Sequence, residues 1–118
     1  MDRTDKSSYP VFVITGGSGT VGSCLIVHFL LKGSVVITPA LDEADHKVLM
    51  STLESVAAVH HSSGTPLLEQ CQDRLFCPII ESYGTFSGAN AFASFIRARG
   101  FFINHAIIIG GGMCRARR

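Results

Sequence analysis

No stretch of roughly 18 or more apolar residues runs through the sequence, which excludes a conventional membrane-spanning helix. The opening segment, Met1 to Ser8, is polar and lacks the apolar core of a secretory signal, so the expected location is the cytoplasm. Charge is scarce. Charged residues make up 16% of the chain and the formal net charge is +1, so no global field recruits nucleic acid or an acidic surface. The four cysteines, Cys24, Cys71, Cys77 and Cys114, form no C-x-x-C pair, and no histidine stands at zinc-finger spacing from them. They read as reduced thiols, mostly buried. An H-E-x-x-H motif, paired carboxylates of the hydrolase kind and a G-x-S-x-G elbow are all missing. So are internal repeats and low-complexity segments.

What is present is an apolar, globular balance: 118 residues, 47% of them hydrophobic. That length fits one domain of the usual size, about 100–150 residues. The expected layout is a flexible N-terminus over 1–8, a single domain over 9–113, and a basic tail over 114–118 whose arginines read as a solvated chain end. Met1 and the end at Arg118 fit a free-standing chain, a truncated product or a fragment alike.

Short apolar runs alternate with helical stretches, the pattern of βα units. Val11 to Ile14 is a short, continuously apolar run rich in β-branched residues, of the kind buried in parallel sheets. Val21 to Leu31 is apolar over a wide helical face and stops at Gly33. Val35 to Thr38 reads as the second strand, and Asp42 to Leu53 as a helix with acids early, where they suit its dipole. Val56 to Val59 reads as a third strand and Leu67 to Phe76 as a third helix. Ser87 to Arg99 is a fourth helix closed by Gly100, and Phe101 to Ile109 the last strand. The expected fold is α/β: a Rossmann-like three-layer arrangement with a small, mostly parallel sheet of about four strands and flanking helices.

Between the first strand and first helix lies Thr15-Gly16-Gly17-Ser18-Gly19-Thr20-Val21-Gly22. An early glycine permits the tight turn, the middle one lets backbone approach a diphosphate, and Gly22 allows close helix–sheet packing. The helix beginning near Thr20 aims free N–H groups and its positive dipole end at the phosphates. A purely structural turn is the competing reading. The acid or arginine that reads the ribose end of a dinucleotide is not placed after the second strand, where Thr38-Pro39-Ala40 stands. That position therefore leaves NAD(H) and NADP(H) open.

The loop Thr15 to Gly22 resembles the T-G-G-x-G-x-x-G opening of short-chain dehydrogenases/reductases. Three further segments resemble the ketoreductase domains of polyketide and fatty-acid synthases. Val56-Ala57-Ala58-Val59-His60-His61-Ser62-Ser63-Gly64 is similar to their V-x-H-A-A-G strand and turn, which implies that Ser62, Ser63 and Gly64 line the cofactor. Leu67 to Gln70 followed by Phe76 to Ile80 is similar to their LLEQ…L-A-P-K-V helix. Phe86 to Phe92, continuing through Arg97-Ala98-Arg99-Gly100, is similar to Y-x-A-A-N-A-F…R-A-R-G.

The resemblance implies NADP(H) as cofactor and reduction of a β-ketoacyl thioester presented by an acyl carrier protein or a synthase partner chain. It also implies a tyrosine proton donor, a lysine that lowers the pKa of that tyrosine, and a serine and an asparagine in the proton network. Here Phe86 stands for the tyrosine and Ile79 for the lysine; Asn90 keeps its residue and Ser82 is the remnant of the serine. Too few residues separate Ile80 from Phe86 for the serine-bearing strand. The segment after Gly33 also reads as short by one βα unit. Tyr83 is the nearest alternative donor, but Ser87 follows it four residues on, where the superfamily has lysine.

Three functions follow as expectations. The first is an NADP(H)-binding ketoreductase-like unit with impaired catalysis. The second is a structural remnant whose exposed sheet edges invite self-association or a partner chain. The third is a divergent reductase using Tyr83. His60 and His61, as adjacent strand residues, face opposite ways and cannot jointly grip one ion. His28 and His105 are expected beside apolar packing, and His46 on an exposed helix face.

Overall fold

A computed structural model describes residues 9–60 and 67–109. Its elements run β1 (Val11–Ile14), α1 (Thr20–Leu31), β2 (Val35–Ile37), α2 (Glu43–His60), α3 (Leu67–Gln70), β3 (Leu75–Phe76), α4 (Phe86–Ala98) and β4 (His105–Ile107). The four strands form one parallel sheet in the order β3-β2-β1-β4. The chain builds outward from β1 through β2 to β3, then crosses back to lay β4 on the other side of β1. The strand order thus reverses between β1 and β4.

Alternation along the strands sorts side chains onto two faces. Ile14 of β1 and Val36 of β2 enter one core with Ile26, Val27 and Leu30 of α1, Leu49, Leu53 and Ala57 of α2, and Leu67 of α3. Val11, Val13, Val35 and Ile37 face the other way, onto Ile96, Phe92 and Phe95 of α4. The result is the three-layer, Rossmann-like α/β arrangement that the alternating pattern led us to expect. Among the described residues no helix is long and apolar enough to cross a membrane.

Three element assignments differ from the sequence reading. Val56 to Val59 is not a strand but the last part of α2. Leu49, Leu53 and Ala57 recur every four residues and are all buried, whereas Val59 is 77% exposed. This helical line of burial, with no turn residue to interrupt it, outweighs the local β preference of two valines. The segment resembling the family's strand and turn is therefore helical as far as His60, which is exposed at the helix end. Ser62, Ser63 and Gly64, like His61, lie outside the described residues.

The third strand is instead Leu75–Phe76, where a helix reaching Phe76 was expected. Beyond Gln70 the chain continues in turns, Cys71 N donating to Leu67 O and Leu75 N to Cys71 O, both at 3.0 Å, and tertiary bonds hold Arg74. Its Nη1 donates to the carbonyls of Leu30 (3.0 Å) and Ser34 (2.9 Å), and its Nη2 to Cys71 Sγ (3.1 Å). The chain then runs extended beside β2. Val36 N donates to Arg74 O, Thr38 N to Phe76 O and Ala40 N to Pro78 O, each at 2.8–2.9 Å. A second strand, helix and third strand thus fit between Val35 and Phe76, and no βα unit is missing there.

The last strand is shorter than Phe101 to Ile109. Asn104 marks its start: its N–H donates to Val11 O (3.0 Å) and its Oδ1 accepts from Val11 N (2.7 Å). Cys71 is buried, Cys77 half-buried and Cys24 exposed, so of the three described cysteines only Cys71 is a fully buried thiol. His46 is half-buried rather than exposed, while His28 and His105 lie edge-on and stacked against Phe29 and Phe12.

If Val59 lies on the outer side of a helix, Val59→Asp changes unfolding free energy by less than about 0.5 kcal/mol. Leu53→Ala, at a fully buried position, costs about 2–5 kcal/mol. Urea denaturation of both variants checks this; comparable losses at the two positions would restore Val56–Val59 to the core as a strand.

Candidate functional site

The segment joining β1 to α1 is a compact turn built by its glycines. Gly16 has φ +71°, a left-handed conformation that favours glycine. Its carbonyl accepts from Gly19 N at 3.1 Å, and Ser23 N then begins the helix by donating to Gly19 O at 3.0 Å. Helix α1 comes down directly on this turn: a Cβ at Gly22 would run into the Gly16 carbonyl. A Cβ at Gly17 would meet Thr38 Oγ1 at 2.7 Å, Ile26 Cδ1 at 2.8 Å and Leu49 Cδ1 at 2.9 Å. A Cβ at Gly19 would find only Gly16 O, at 3.5 Å. Gly16, Gly17 and Gly22 shape the turn from within, and Gly19 opens outward.

The eight loop residues named from sequence therefore divide in role. Thr15 is buried, and its hydroxyl is spent on the end of β4: Oγ1 accepts from Ile109 N (2.9 Å) and donates to Ile109 O (3.4 Å). It locks the point where strand order reverses. Ser18 is half-buried, and Gly19 and Thr20 are exposed. Gly19 is the N-cap residue and supplies no side-chain cap. The first N–H groups of a helix have no partner within it. At α1 they open to the rim formed by Ser18, Gly19 and Thr20, and the dipole favours an anion there. Val21 is 62% exposed on the outer side of α1, away from the turn's packing.

Tyr83 reaches the same place from the turn before α4. Burial, then the charge of Asp45, raises its phenol above the ordinary value, and a hydrogen bond with the Gly16 backbone holds it partly back. Tyr83 and Thr15 line a cavity of about 470 Å³ between α4 and β4, with Val13, Phe92, Ile96 and Ala106.

The other positions that the resemblance marks as catalytic are not gathered here. Phe86 is 85% exposed at the first turn of α4, and Ile79 is 44% exposed beside β2, opposite Ala40. Asn90 is exposed on α4 and does not line the cavity. Ser82 is exposed with φ 53°, and its main chain rather than its hydroxyl has a task. Its carbonyl accepts from Thr85 Oγ1 (2.7 Å) and Thr85 N (2.9 Å), while Thr85 Oγ1 accepts from Gly88 N (3.1 Å) to cap α4.

Two features escaped the sequence reading. Thr38 is fully buried, and its Oγ1, directed at Gly17, has no hydrogen-bond partner. Asp42 and Asp45 form a reciprocal cap at the start of α2: Asp45 N donates to Asp42 Oδ1 and Leu41 N to Asp45 Oδ2, both at 2.8 Å. An aspartate just before the helix start, Asp42, is an N-cap residue type legible in the sequence. The placement of that cap beside the glycine turn was not, because the packing of Leu49 against Gly17 brings it there. Among the described residues no three His, Cys, Asp or Glu side chains converge as metal ligands. Away from this site, burial pushes the Cys77 thiol up to about 12, so it stays protonated.

Comparison with family models, with characterised proteins and with solved structures finds no match. The ketoreductase resemblance rests on the segments quoted above.

Two outcomes follow from this geometry. Gly22→Ala, forced against a backbone carbonyl, lowers stability by about 1–3 kcal/mol; Gly19→Ala, facing open space with φ −87°, costs less than about 1 kcal/mol. Equal thermal shifts would contradict the close approach. In a Tyr9→Phe background, ultraviolet titration finds Tyr83 ionising above its ordinary 10.0, and Asp45→Asn brings it down. The folded state holds that proton more tightly than the unfolded chain does, so stability falls as pH rises past about 10.

Proposed function

We propose that this chain is a dinucleotide-binding, ketoreductase-like unit that grips the diphosphate of NADP(H) or NAD(H) on the Ser18–Thr20 rim and has lost efficient carbonyl reduction. The observation that carries the reading is the uncapped first turn of α1, held open by a glycine turn at the carboxyl end of β1, where strand order reverses. Open α/β sheets bind their ligands in that crevice. Backbone N–H groups and the helix dipole suit a diphosphate there without help from a charged side chain.

A bound nicotinamide dinucleotide would supply hydride; this chain's own task in reduction would be to deliver a proton. Phe86 has no proton to give and Ile79 no charge. Tyr83 is the phenol that lines the cavity, and its surroundings hold its proton more tightly than usual. Arg97 lines the same cavity from the last turn of α4, and no lysine stands at the position where the resemblance implies one that eases proton release. This chemistry supports binding with little turnover.

One feature favours the second reading, an interaction module without a working nucleotide site. The outer edge of β4 has no neighbouring strand among the described residues, and Phe102 (86% exposed) and Ile108 (72%) flank it. Bare edges of this kind invite a partner.

Calorimetry with NADPH and NADH, together with nicotinamide fluorescence, separates the two. Measurable binding is expected, weakened at least tenfold by Ser18→Asp, which sets a carboxylate against the diphosphate. Turnover of a β-ketoacyl thioester surrogate should be negligible. Silence of both cofactors at millimolar concentration would give the second reading the field. Ordinary turnover that Tyr83→Phe abolishes would overturn the loss of catalysis.

A further inference from the structure

We infer that the outer face of α1 is half of a zinc site: Cys24 and His28, together with the same pair from a second copy of this chain, hold one Zn2+ between two α1 helices. This goes beyond the nucleotide-binding reading and stands independently of it.

Helix α1 carries no Asp, Glu, Lys or Arg over Thr20–Leu31. A surface helix normally sets charged and polar residues on the side turned from the core. Here Ile26, Val27 and Leu30 are buried, and past Thr20 the exposed positions are Val21, Cys24, His28 and Leu31. They follow one another by three, four and three residues, so they form one narrow stripe with the spacing of a helix-packing seam. The stripe lines a groove of about 600 Å³, which His60 at the end of α2 also lines.

The seam is apolar at both ends and carries metal-ligating chemistry in the middle. Cys24 and His28 stand four residues apart, which sets two side chains over one another on a helix. Zinc-binding histidine pairs use the same spacing. A thiolate and an imidazole are donors that Zn2+ takes in structural sites, four to an ion in a tetrahedron. One chain supplies two. His60 does not add a third, because among the described residues no three His, Cys, Asp or Glu side chains converge. The set is incomplete in the monomer, and it lacks one more thiol and one more imidazole.

A second copy supplies both. In a twofold contact the same patch meets itself. When two α1 helices cross antiparallel, Cys24 faces His28 of the other copy and Val21 faces Leu31. Both pairs are centred level with Ile26, so a single axis serves them. The four donors then lie within about one helical turn, since four residues rise about 6 Å. Val21 and Leu31 shut out water on either side. Zinc takes two thiolates and two neutral imidazoles and releases two protons, so the filled site has no net charge and suits an apolar seam. With no charged residue on α1, nothing on this face repels the second copy.

The test is sedimentation velocity of the full chain, stripped with EDTA and kept reduced, with and without added Zn2+. A monomer is expected without zinc and a dimer with it, titrating at one ion per two chains. Co2+ in place of zinc should give the thiolate charge-transfer and tetrahedral ligand-field bands of a mixed sulfur–nitrogen site. Changes outside the ligand shell already weaken such sites roughly tenfold or more, so Cys24→Ser and His28→Gln, both at exposed positions, should each cost at least that. Leu31→Asp probes the face without touching a donor and should prevent the dimer. If it does not fold by circular dichroism, Cys24→Ser and His28→Gln carry the test. No zinc binding, one Zn2+ held by a monomer, or a dimer that forms equally in EDTA overturns the inference. So does a cobalt thiolate band that survives Cys24→Ser, or a zinc-dependent dimer that folded Leu31→Asp leaves intact.

Discussion

Everything at the carboxyl end of this sheet depends on one backbone-to-backbone contact, the seating of α1 at Gly22 on the Gly16 carbonyl. Hydrogen on Gly22 is the only side chain that allows it. The same carbonyl takes the Gly19 N–H, so the turn closes on itself and needs no side-chain hydrogen bond to hold its shape. That economy leaves the N-cap position to a glycine and the first N–H groups of α1 facing outward. A serine or aspartate at the cap would stabilise the helix by about 1 kcal/mol while occupying the groups an anion would use. The turn gives up that local stability and keeps its donors open.

The surrounding structure holds this turn from three sides. From below, Ile26 and Leu49 fill the space under Gly17, so helices α1 and α2 both bear on it. Laterally, the Thr15 hydroxyl bonds the main chain of Ile109 and ties the end of β1 to the chain leaving β4. From the α4 side, Tyr83 touches Gly16. At the far end of the sheet Arg74 joins the end of α1, the start of β2 and Cys71 through charge-assisted bonds, which are stronger than neutral ones. A tight turn at one end and a guanidinium clamp at the other set the height of the sheet.

Against this frame, what the family resemblance implies for catalysis and what it implies for binding separate. The elements bearing Ile79, Phe86 and Asn90 form, but these side chains point into solvent and do not converge on the cavity. Tyr83 and Thr15 do meet there, through packing that no motif encodes. The proposed diphosphate contact, in contrast, needs only backbone, and the glycines that permit the shape of the turn are all in place. Binding by main-chain groups tolerates change in side chains, whereas proton transfer needs a donor of suitable pKa at one point. One set of substitutions can therefore leave the first function and remove the second.

The sequence by itself determined β1, the glycine turn, α1, β2 and α4, because each is marked locally: a β-branched run, left-handed glycines, helical periodicity closed by Gly33 and Gly100. It also determined that the fold is α/β with parallel strands. Tertiary structure alone decided that Val56 to Val59 extends α2, since Leu49, Leu53 and Ala57 form one buried line, and that Leu75–Phe76 is the third strand, since its main chain pairs with β2, more than thirty residues away in the chain. It alone decided which loop residues are exposed at the rim of the turn, and that the Asp42–Asp45 cap and the unpaired Thr38 hydroxyl lie beside it. Local propensity and spacing are properties of a short segment. Which segments share a face, and which polar atoms are left unpaired between them, is decided only when the layers pack.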